Sequence, residues 1–137
     1  MVESDASRAA GEAQAGVVLV VDDDESVRSI TVRMLQRLGY QVAGAADGPG
    51  GLAYFQAHAR AIRCALIDMT MPGMSGEALC QALWAIDPNA RLVMMSGNAE
   101  QEMLQLMGNI PLAGFLQKPF NLERLRTLMA QVAGPPG

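Results

Sequence analysis

Short runs of consecutive apolar residues recur along the chain, and polar or turn-forming residues follow each run. The first run, residues 17–21, consists of four valines and one leucine and is followed by Asp22. Such runs are typical of strands buried on both faces of a parallel sheet, because a half-exposed strand would alternate apolar and polar positions. Further strands are predicted over residues 40–45, 64–68, 91–95 and 113–117, and the partly polar 40–45 is expected at an edge.

Between these runs, apolar residues recur at the spacing of an amphipathic helix. The predicted helices start after Asp24, span about residues 50–58, 77–86 and 99–107, and start again after Asn121. The Gly-rich segment 48–51 is predicted to be a capped loop, since it lacks the glycine spacing and the Lys-Ser/Thr pair of a phosphate-binding loop. Strands alternating with helices predict an α/β fold whose parallel sheet is covered on both faces.

The residues at the ends of four predicted strands suggest chemistry. These strands end in Asp22-Asp23, Asp68, Ser96 and Lys118. In a parallel sheet all four ends share one edge, where ligands bind in open α/β folds. Clustered carboxylates repel each other, and a hard cation such as Mg²⁺ removes most of that cost. A metal, a nucleophilic carboxylate, a hydroxyl and an ammonium group together form a set suited to phosphoryl transfer.

Four segments carry a resemblance to a known family. They are VLVVDDDESVR at residues 18–28, LIDMTMPGMSG at 66–76, VMMSGN at 93–98 and GFLQKPF at 114–120. In this order and at this spacing, from about residue 17 to residue 132, the chain resembles a receiver domain of the two-component response-regulator family. The last two segments are similar to the receivers of hybrid histidine kinases. The resemblance implies a flavodoxin-like (βα)5 fold with strand order 2-1-3-4-5.

The resemblance also implies roles for the acidic residues. Asp68 stands at the position of the phosphoacceptor. Asp23 and Asp68 stand where the family binds Mg²⁺ directly, together with the backbone carbonyl of Thr70, and Asp22 is expected to act through a bound water. Asp24 is expected only to cap the first helix.

The remaining expected site residues lie in the fifth predicted strand or directly follow the fourth and fifth strands. Lys118 is expected to pair with Asp68 before phosphorylation, and the Lys118–Pro119 bond is typically cis in this family. Ser96 is expected to be the switch hydroxyl. Phe115 stands where the family has a mobile aromatic residue, often Tyr; the alternative is a static core phenylalanine.

The function implied is a phosphorylation-dependent signalling module. It would take a phosphoryl group from the phosphohistidine of a histidine kinase or histidine phosphotransfer domain, and its switched surface would control an unknown output partner. It would catalyse only its own phosphorylation and dephosphorylation. One alternative is an aspartyl-phosphate phosphatase, although such enzymes commonly need a second acid where Thr70 stands. The other is a pseudo-receiver that binds partners without phosphorylation.

The composition of the chain narrows the kinds of partner and compartment that are expected for it. The 137 residues carry 14 acidic and 10 basic side chains, a net charge of −4, which argues against direct nucleic-acid binding. No apolar run has the length of a membrane span, so a cytoplasmic domain is expected. Cys64 and Cys80 are expected to be reduced core thiols, and His58 a surface residue. Residues 1–16 are predicted to be a flexible tail or linker, 17–132 the folded domain, and 133–137 a C-terminal tail.

Overall fold

The computed structural model describes residues 16–107 and 111–136. The strands of these residues form one five-stranded sheet. All strand pairs are parallel and the order is β2-β1-β3-β4-β5, which confirms the predicted flavodoxin-like topology. The strands are β1 (Val17–Val21), β2 (Gln41–Ala45), β3 (Ile62–Asp68), β4 (Leu92–Ser96) and β5 (Gly114–Gln117). Most of the tail expected over residues 1–16 lies outside the described residues.

In the described residues, five α-helices connect and cover the strands. They are α1 (Glu25–Arg37), α2 (Gly48–His58), α3 (Gly76–Ile86), α4 (Glu100–Met107) and α5 (Leu122–Val132), and a 3-10 turn, Ala59–Ala61, follows α2. Side-chain oxygens cap four of these helices at their N-termini, from Asp24, Asp47, Ser75 and Asn121. Each of these oxygens accepts a backbone N–H that has no partner within its helix.

The apolar strands divide their side chains between two cores, one on each face of the sheet. In β1, Leu19 and Val21 belong to the core that contains Phe55 of α2, whereas Val18 and Val20 belong to the core that contains Leu35 of α1. Adjacent strand residues point to opposite faces, so a strand covered on both sides must be apolar throughout. This burial explains the uninterrupted apolar runs.

The start of α2 differs from the sequence-based prediction. Residues 48–51 were expected to form a capped loop, but α2 begins at Gly48. The Asp47 carboxylate accepts a hydrogen bond from the Gly50 N–H at 2.7 Å, and proline is tolerated in the first helical turn, where its missing N–H costs nothing. Gly48 is required by close packing, since a Cβ there would lie 2.7 Å from the Cβ of Met74.

The segment that follows α5 is held at the N-terminal ends of the strands. Arg63 donates to the carbonyls of Ala133 and Pro135, both at 2.7 Å, and the Tyr40 hydroxyl donates to the carbonyl of Gly134 at 2.7 Å. Arg91 donates to the carbonyl of Val132 at 2.7 Å, which satisfies a carbonyl at the end of α5. These contacts anchor the C-terminal end of α5 at the N-terminal ends of β3 and β4, on the opposite side of the sheet from Asp22 and Asp68.

The expectations for the two cysteines and the histidine can be compared with the fold. Cys64 and Cys80 are free and buried, and burial raises the pKa of each thiol to about 12, so both stay protonated at neutral pH. His58 is exposed at the end of α2, where its Nδ1 lies 3.0 Å from the carbonyl oxygen of Tyr54. Within the described ranges, no helix combines the length and apolarity needed to cross a membrane.

Candidate functional site

The C-terminal ends of the parallel strands bring the predicted polar residues together. Asp68 closes β3 and Ser96 closes β4, while Asp22 directly follows β1 and Lys118 directly follows β5. The strand register places Asp68 opposite Met95, one residue before Ser96. The residues therefore meet at one edge because each terminates a neighbouring strand of the same sheet.

Asp22 is fully buried, and hydrogen bonds engage each of its polar atoms. Its Oδ2 accepts from Lys118 Nζ at 2.8 Å and its Oδ1 accepts from the Asp24 N–H at 2.9 Å. Its backbone N–H donates to the Ala45 carbonyl at 3.1 Å, and its own carbonyl accepts from Arg28 Nη1 at 2.8 Å. This buried carboxylate is held rigidly and carries a compensating charge partner.

Lys118 links two carboxylates. Its Nζ lies 2.8 Å from Asp22 Oδ2 and 3.3 Å from Asp68 Oδ1, so the pair expected with Asp68 is present but the contact with Asp22 is shorter. Burial tends to lower the pKa of Lys118, but the hydrogen bonds and charges of Asp22 and Asp68 outweigh burial and raise it. The ammonium group therefore remains charged at neutral pH. The Lys118–Pro119 bond is cis, and the Lys118 N–H donates to the Ser96 carbonyl at 2.7 Å.

Asp68 differs electrostatically from an ordinary surface carboxylate. It is only 7% exposed, and burial raises its pKa to about 6. The charge of Lys118 lowers the pKa, whereas the charge of Asp22 and a hydrogen bond with Asp23 raise it. This carboxylate is costly to keep ionised because it is buried beside other acids. A nearby cation would stabilise its ionised form.

Asp22, Asp23 and Asp68 form a cluster with the geometry of a cation site. One carboxylate oxygen from each lies within 4.8 Å of the others. Asp22 and Asp68 are buried and Asp23 is exposed, so the cluster opens to solvent on one side. Oxygen ligands on one side and water on the other suit Mg²⁺, which keeps several waters. Thr70, two residues beyond Asp68, is exposed in the following loop.

Ser96 and Phe115 lie on the neighbouring strands β4 and β5. Ser96 is buried, and its Oγ accepts a hydrogen bond from the Asn98 N–H at 3.0 Å, in the loop that leads to α4. Its hydroxyl hydrogen is not needed for that bond and can be donated elsewhere. Phe115 is 9% exposed and belongs to the same core as Met94 of β4 and Met103 of α4. These contacts connect the acidic edge to the side of the sheet covered by α4.

Two features of the site were not predicted from the sequence. One is the short contact between Lys118 and Asp22, and the other is the hydrogen bond from Arg28 to the backbone of Asp22. Both depend on where a long, flexible side chain lies. The position of Arg28 near the start of α1, six residues after Asp22, was the available signal in the sequence.

Comparison with known proteins identifies the family. Residues 18–130 match the family described as response regulator receiver domain. The chain belongs to this family. The resemblance inferred from the four sequence segments is thereby confirmed. As a receiver domain, the chain is a module of phosphorylation-dependent two-component signalling. Receiver domains are generally signalling modules and not enzymes, and they interact with histidine kinases and with output domains or other proteins.

Relatives of this receiver domain include both long and short proteins. It is 33% identical over 115 residues to the sensor kinase CckA of Brucella abortus, and the match covers 84% of this chain but 12% of that protein. It is 28% identical to sporulation initiation phosphotransferase F of Bacillus subtilis, covering 80% and 86% of the two chains. The solved structure of chemotaxis protein CheY4 of Vibrio cholerae has a TM-score of 0.79 at 31% identity, covering 85% and 98%.

Proposed function

We propose that this receiver domain accepts a phosphoryl group on Asp68 from the phosphohistidine of a histidine kinase or a histidine phosphotransfer domain. The observation that carries the proposal is the placement of Asp68 between a lysine and two acids. One of its oxygens lies 3.3 Å from Lys118 Nζ, and it shares a cluster with Asp22 and Asp23. Asp22 is fully buried and each of its carboxylate oxygens accepts a hydrogen bond, whereas Asp68 keeps some exposure to an incoming donor.

The proposed reaction is an in-line displacement at phosphorus. An Asp68 carboxylate oxygen supplies an electron pair to phosphorus while the bond from phosphorus to the donor imidazole nitrogen breaks, and that nitrogen keeps the bonding pair. The product is an acyl phosphate on Asp68. In the reverse half of the signalling cycle a water oxygen attacks phosphorus, and the bond to Asp68 breaks to release inorganic phosphate.

The acidic cluster fits Mg²⁺ as the cofactor. Asp23 and Asp68 would bind it directly with the backbone carbonyl of Thr70, and Asp22 would act through a bound water. When bound, Mg²⁺ neutralises negative charge on the phosphoryl oxygens. Asp23 suits a direct role because it is the exposed member of the cluster. The raised pKa of Asp68 means that a cation would favour its ionised, nucleophilic form.

Lys118 and Ser96 would act on the transferred group. The charged Lys118 ammonium would shift from the Asp68 carboxylate to a phosphoryl oxygen while its 2.8 Å contact with Asp22 keeps it at the site. Ser96 would donate its hydroxyl hydrogen to a phosphoryl oxygen. Movement of Ser96 toward the site would open space for Phe115, and the surface formed by α4, β5 and α5 would change for the output partner.

An apolar cleft beside the site offers a docking surface for the phosphodonor. The cleft encloses about 450 Å³ between α1 and the segment after β5, and Met34, Pro119 and Phe120 are among its lining residues. Ile30, on its α1 side, is 53% exposed. A concave apolar surface of this kind suits contact with the apolar face of a partner helix. A phosphohistidine on a helix that covers this cleft would face the edge that holds Lys118.

Neither alternative function has comparable support. In an aspartyl-phosphate phosphatase, the residue two positions after the nucleophile would be an acid, and here it is Thr70. A pseudo-receiver would not need an intact acidic cluster beside a charged lysine and a buried hydroxyl, yet Asp22, Asp68, Ser96 and Lys118 are all in position at one edge.

Phosphoryl labelling of an Asp68 variant tests the proposal. The protein is incubated with radiolabelled acetyl phosphate and Mg²⁺, and bound label is measured on the wild type and on Asp68→Asn. The amide is a far weaker nucleophile of nearly the same shape, so we expect label on the wild type and none on the variant. Asp24→Asn is the matched control, since asparagine also caps helices well and Asp24 lies outside the cluster. Base-labile label that persists on Asp68→Asn would contradict the assignment.

A further inference from the structure

We infer that Arg28 is a positioning residue for the metal-binding acid Asp23, acting through the carbonyl of Asp22, the residue before it. The inference rests on the proposed function, because it concerns the same Mg²⁺ site. Arg28 lies in α1 and contributes no carboxylate to the cluster. Its guanidinium nevertheless binds the carbonyl of the residue that precedes Asp23.

The Arg28 guanidinium and the Asp22 carboxylate hold the two peptide groups next to Asp23. Arg28 Nη1 donates to the carbonyl of Asp22 at 2.8 Å. The bond of 2.8 Å from the Arg28 backbone N–H to the Asp24 carbonyl is the ordinary helical bond of the first turn of α1 and does not depend on the side chain at position 28. The Asp24 N–H in turn donates to Asp22 Oδ1 at 2.9 Å. The peptide groups before and after Asp23 are therefore both held in place, although the Asp23 side chain is exposed.

The Asp22 carbonyl needs a partner from outside the sheet. Pairing between β1 and β2 ends with Val21 opposite Ala45, and the Asp22 N–H makes the last bond to β2. Buried carbonyls that lack a partner are costly, and Arg28 supplies the donor that β2 no longer provides. The stem of Arg28 crosses β2 at Gly44, where a Cβ would lie 3.5 Å from Arg28 Cδ. The guanidinium thus caps the end of β1.

Fixed peptide groups matter because Mg²⁺ requires near-ideal octahedral geometry. An exposed aspartate on a mobile loop would have to be ordered when the ion binds, at a cost in conformational entropy. With Arg28 in place, much of that ordering is already present in the metal-free protein. Partners that orient metal ligands typically change metal affinity by about 10- to 100-fold when they are removed.

The sign of the effect separates positioning from simple charge. If Arg28 acted only as a positive charge near the cluster, its removal would strengthen Mg²⁺ binding, because a repulsive charge would be lost. If Arg28 positions Asp23, its removal weakens binding despite the more negative site. Arg33 lies on the same helix, is exposed and carries the same charge, so Arg33→Met controls for charge removal.

The test compares Mg²⁺ affinity in wild type, Arg28→Met, Arg28→Gln and Arg33→Met by titration of backbone chemical shifts. Methionine and glutamine are both good helix formers, and two variants prevent the result from depending on the folding of one. We expect about tenfold weaker binding for both Arg28 variants, at the low end of the range for orienting partners. Arg33→Met should bind as tightly as the wild type or slightly more tightly.

A second measurement does not need the metal. Hydrogen exchange of the Asp24 amide in the metal-free protein should be faster in the Arg28 variants than in wild type and unchanged in Arg33→Met. Arg28 variants that bind Mg²⁺ as tightly as wild type, or more tightly, would overturn the inference, as would unchanged exchange at Asp24. Failure of the wild type itself to bind Mg²⁺ would instead overturn the proposed function, and the exchange measurement would still decide whether Arg28 orders the loop.

Discussion

The buried carboxylates of the site have different environments at the level of single residues. Asp22 has its charge balanced by Lys118 at 2.8 Å and its remaining oxygen bonded to the backbone. Asp68 has a longer contact with Lys118, at 3.3 Å, and no comparable backbone donor is described. Asp68 is therefore the acid whose ionised form the metal-free fold supports poorly, and its pKa of about 6 reflects this.

This environment predicts that Asp68→Asn stabilises the metal-free protein. The pKa of Asp68 is raised from an ordinary 3.8 to about 6 in the fold, so the native state binds its proton more tightly than the unfolded chain does. The stability due to this proton is present below about pH 4 and is lost as the pH rises through 6. At pH 7.5 the variant, which has no charge to desolvate, should have the higher Tm.

Thermal melts with EDTA measure this difference across the pH range. The gap between the variant and the wild type should shrink as the pH falls from 7.5 toward 4, and Mg²⁺ should stabilise the wild type selectively. A variant that melts below the wild type at pH 7.5 without metal would show that the ionised Asp68 carboxylate is a net source of stability.

The positions of the site residues could be predicted from the sequence, but their pairing could not. Asp22, Asp68 and Lys118 end apolar runs, and parallel topology brings such ends together. Which acid Lys118 contacts more closely depends on the rotamers of a long side chain. The same holds for Arg28, whose partner is a backbone carbonyl and leaves no side-chain pattern to recognise.

At the level of elements, the end of β4 connects the site to α4. The Ser96 Oγ accepts the Asn98 N–H at 3.0 Å, so the hydroxyl and the loop are linked before any phosphoryl group arrives. A hydroxyl donates one hydrogen and accepts through two lone pairs. Ser96 can therefore donate to a phosphoryl oxygen and keep its bond to Asn98, and movement of the hydroxyl would move the loop with it.

We predict that Ser96→Ala accepts a phosphoryl group on Asp68 but switches poorly. Resting and phosphorylated states differ in population only if the new group contacts them unequally. One hydrogen bond to a charged acceptor contributes about 1.5–3 kcal/mol, or roughly 10- to 150-fold in the switching equilibrium. The variant lacks this contact, so the active state should be correspondingly less populated.

The readout is the change in backbone chemical shifts over residues 99–120 on addition of beryllofluoride and Mg²⁺. Ser96→Thr keeps the hydroxyl and serves as the control, with a change close to that of the wild type. If Ser96→Ala shows the full wild-type change, then the hydroxyl does not couple the site to α4 and β5.

The elements themselves were largely predictable, and the exceptions have local causes. Uninterrupted apolar runs identified the buried strands, because each contributes to both cores. The first turn of α2 was missed because glycine and proline usually signal a loop. Here the Asp47 cap stabilises the turn, and packing against Met74 requires a residue without a side chain at Gly48.

At the level of the whole molecule, the two ends of the parallel strands carry different groups of residues. The acidic residues and Lys118 lie at the C-terminal edge of the strands, whereas Arg63 and Arg91 anchor the end of α5 at the other edge. His58 ends α2, about 15 Å along the helix from its start near the acidic edge. The single histidine of these 137 residues is thus remote from Asp68, so a phosphohistidine that donates to Asp68 would lie outside them.

The role of Asp68 as phosphoacceptor is tested most closely by locating the acyl phosphate on the chain directly. The protein is phosphorylated with acetyl phosphate and Mg²⁺ and then treated with borohydride, which reduces an aspartyl phosphate to homoserine. Peptide mass spectrometry then identifies the modified position. We predict homoserine at position 68 and unmodified aspartate at positions 22, 23 and 24. Homoserine at one of those positions, or a phosphoryl group on His58 with position 68 unchanged, would contradict the assignment of Asp68 as the phosphoacceptor.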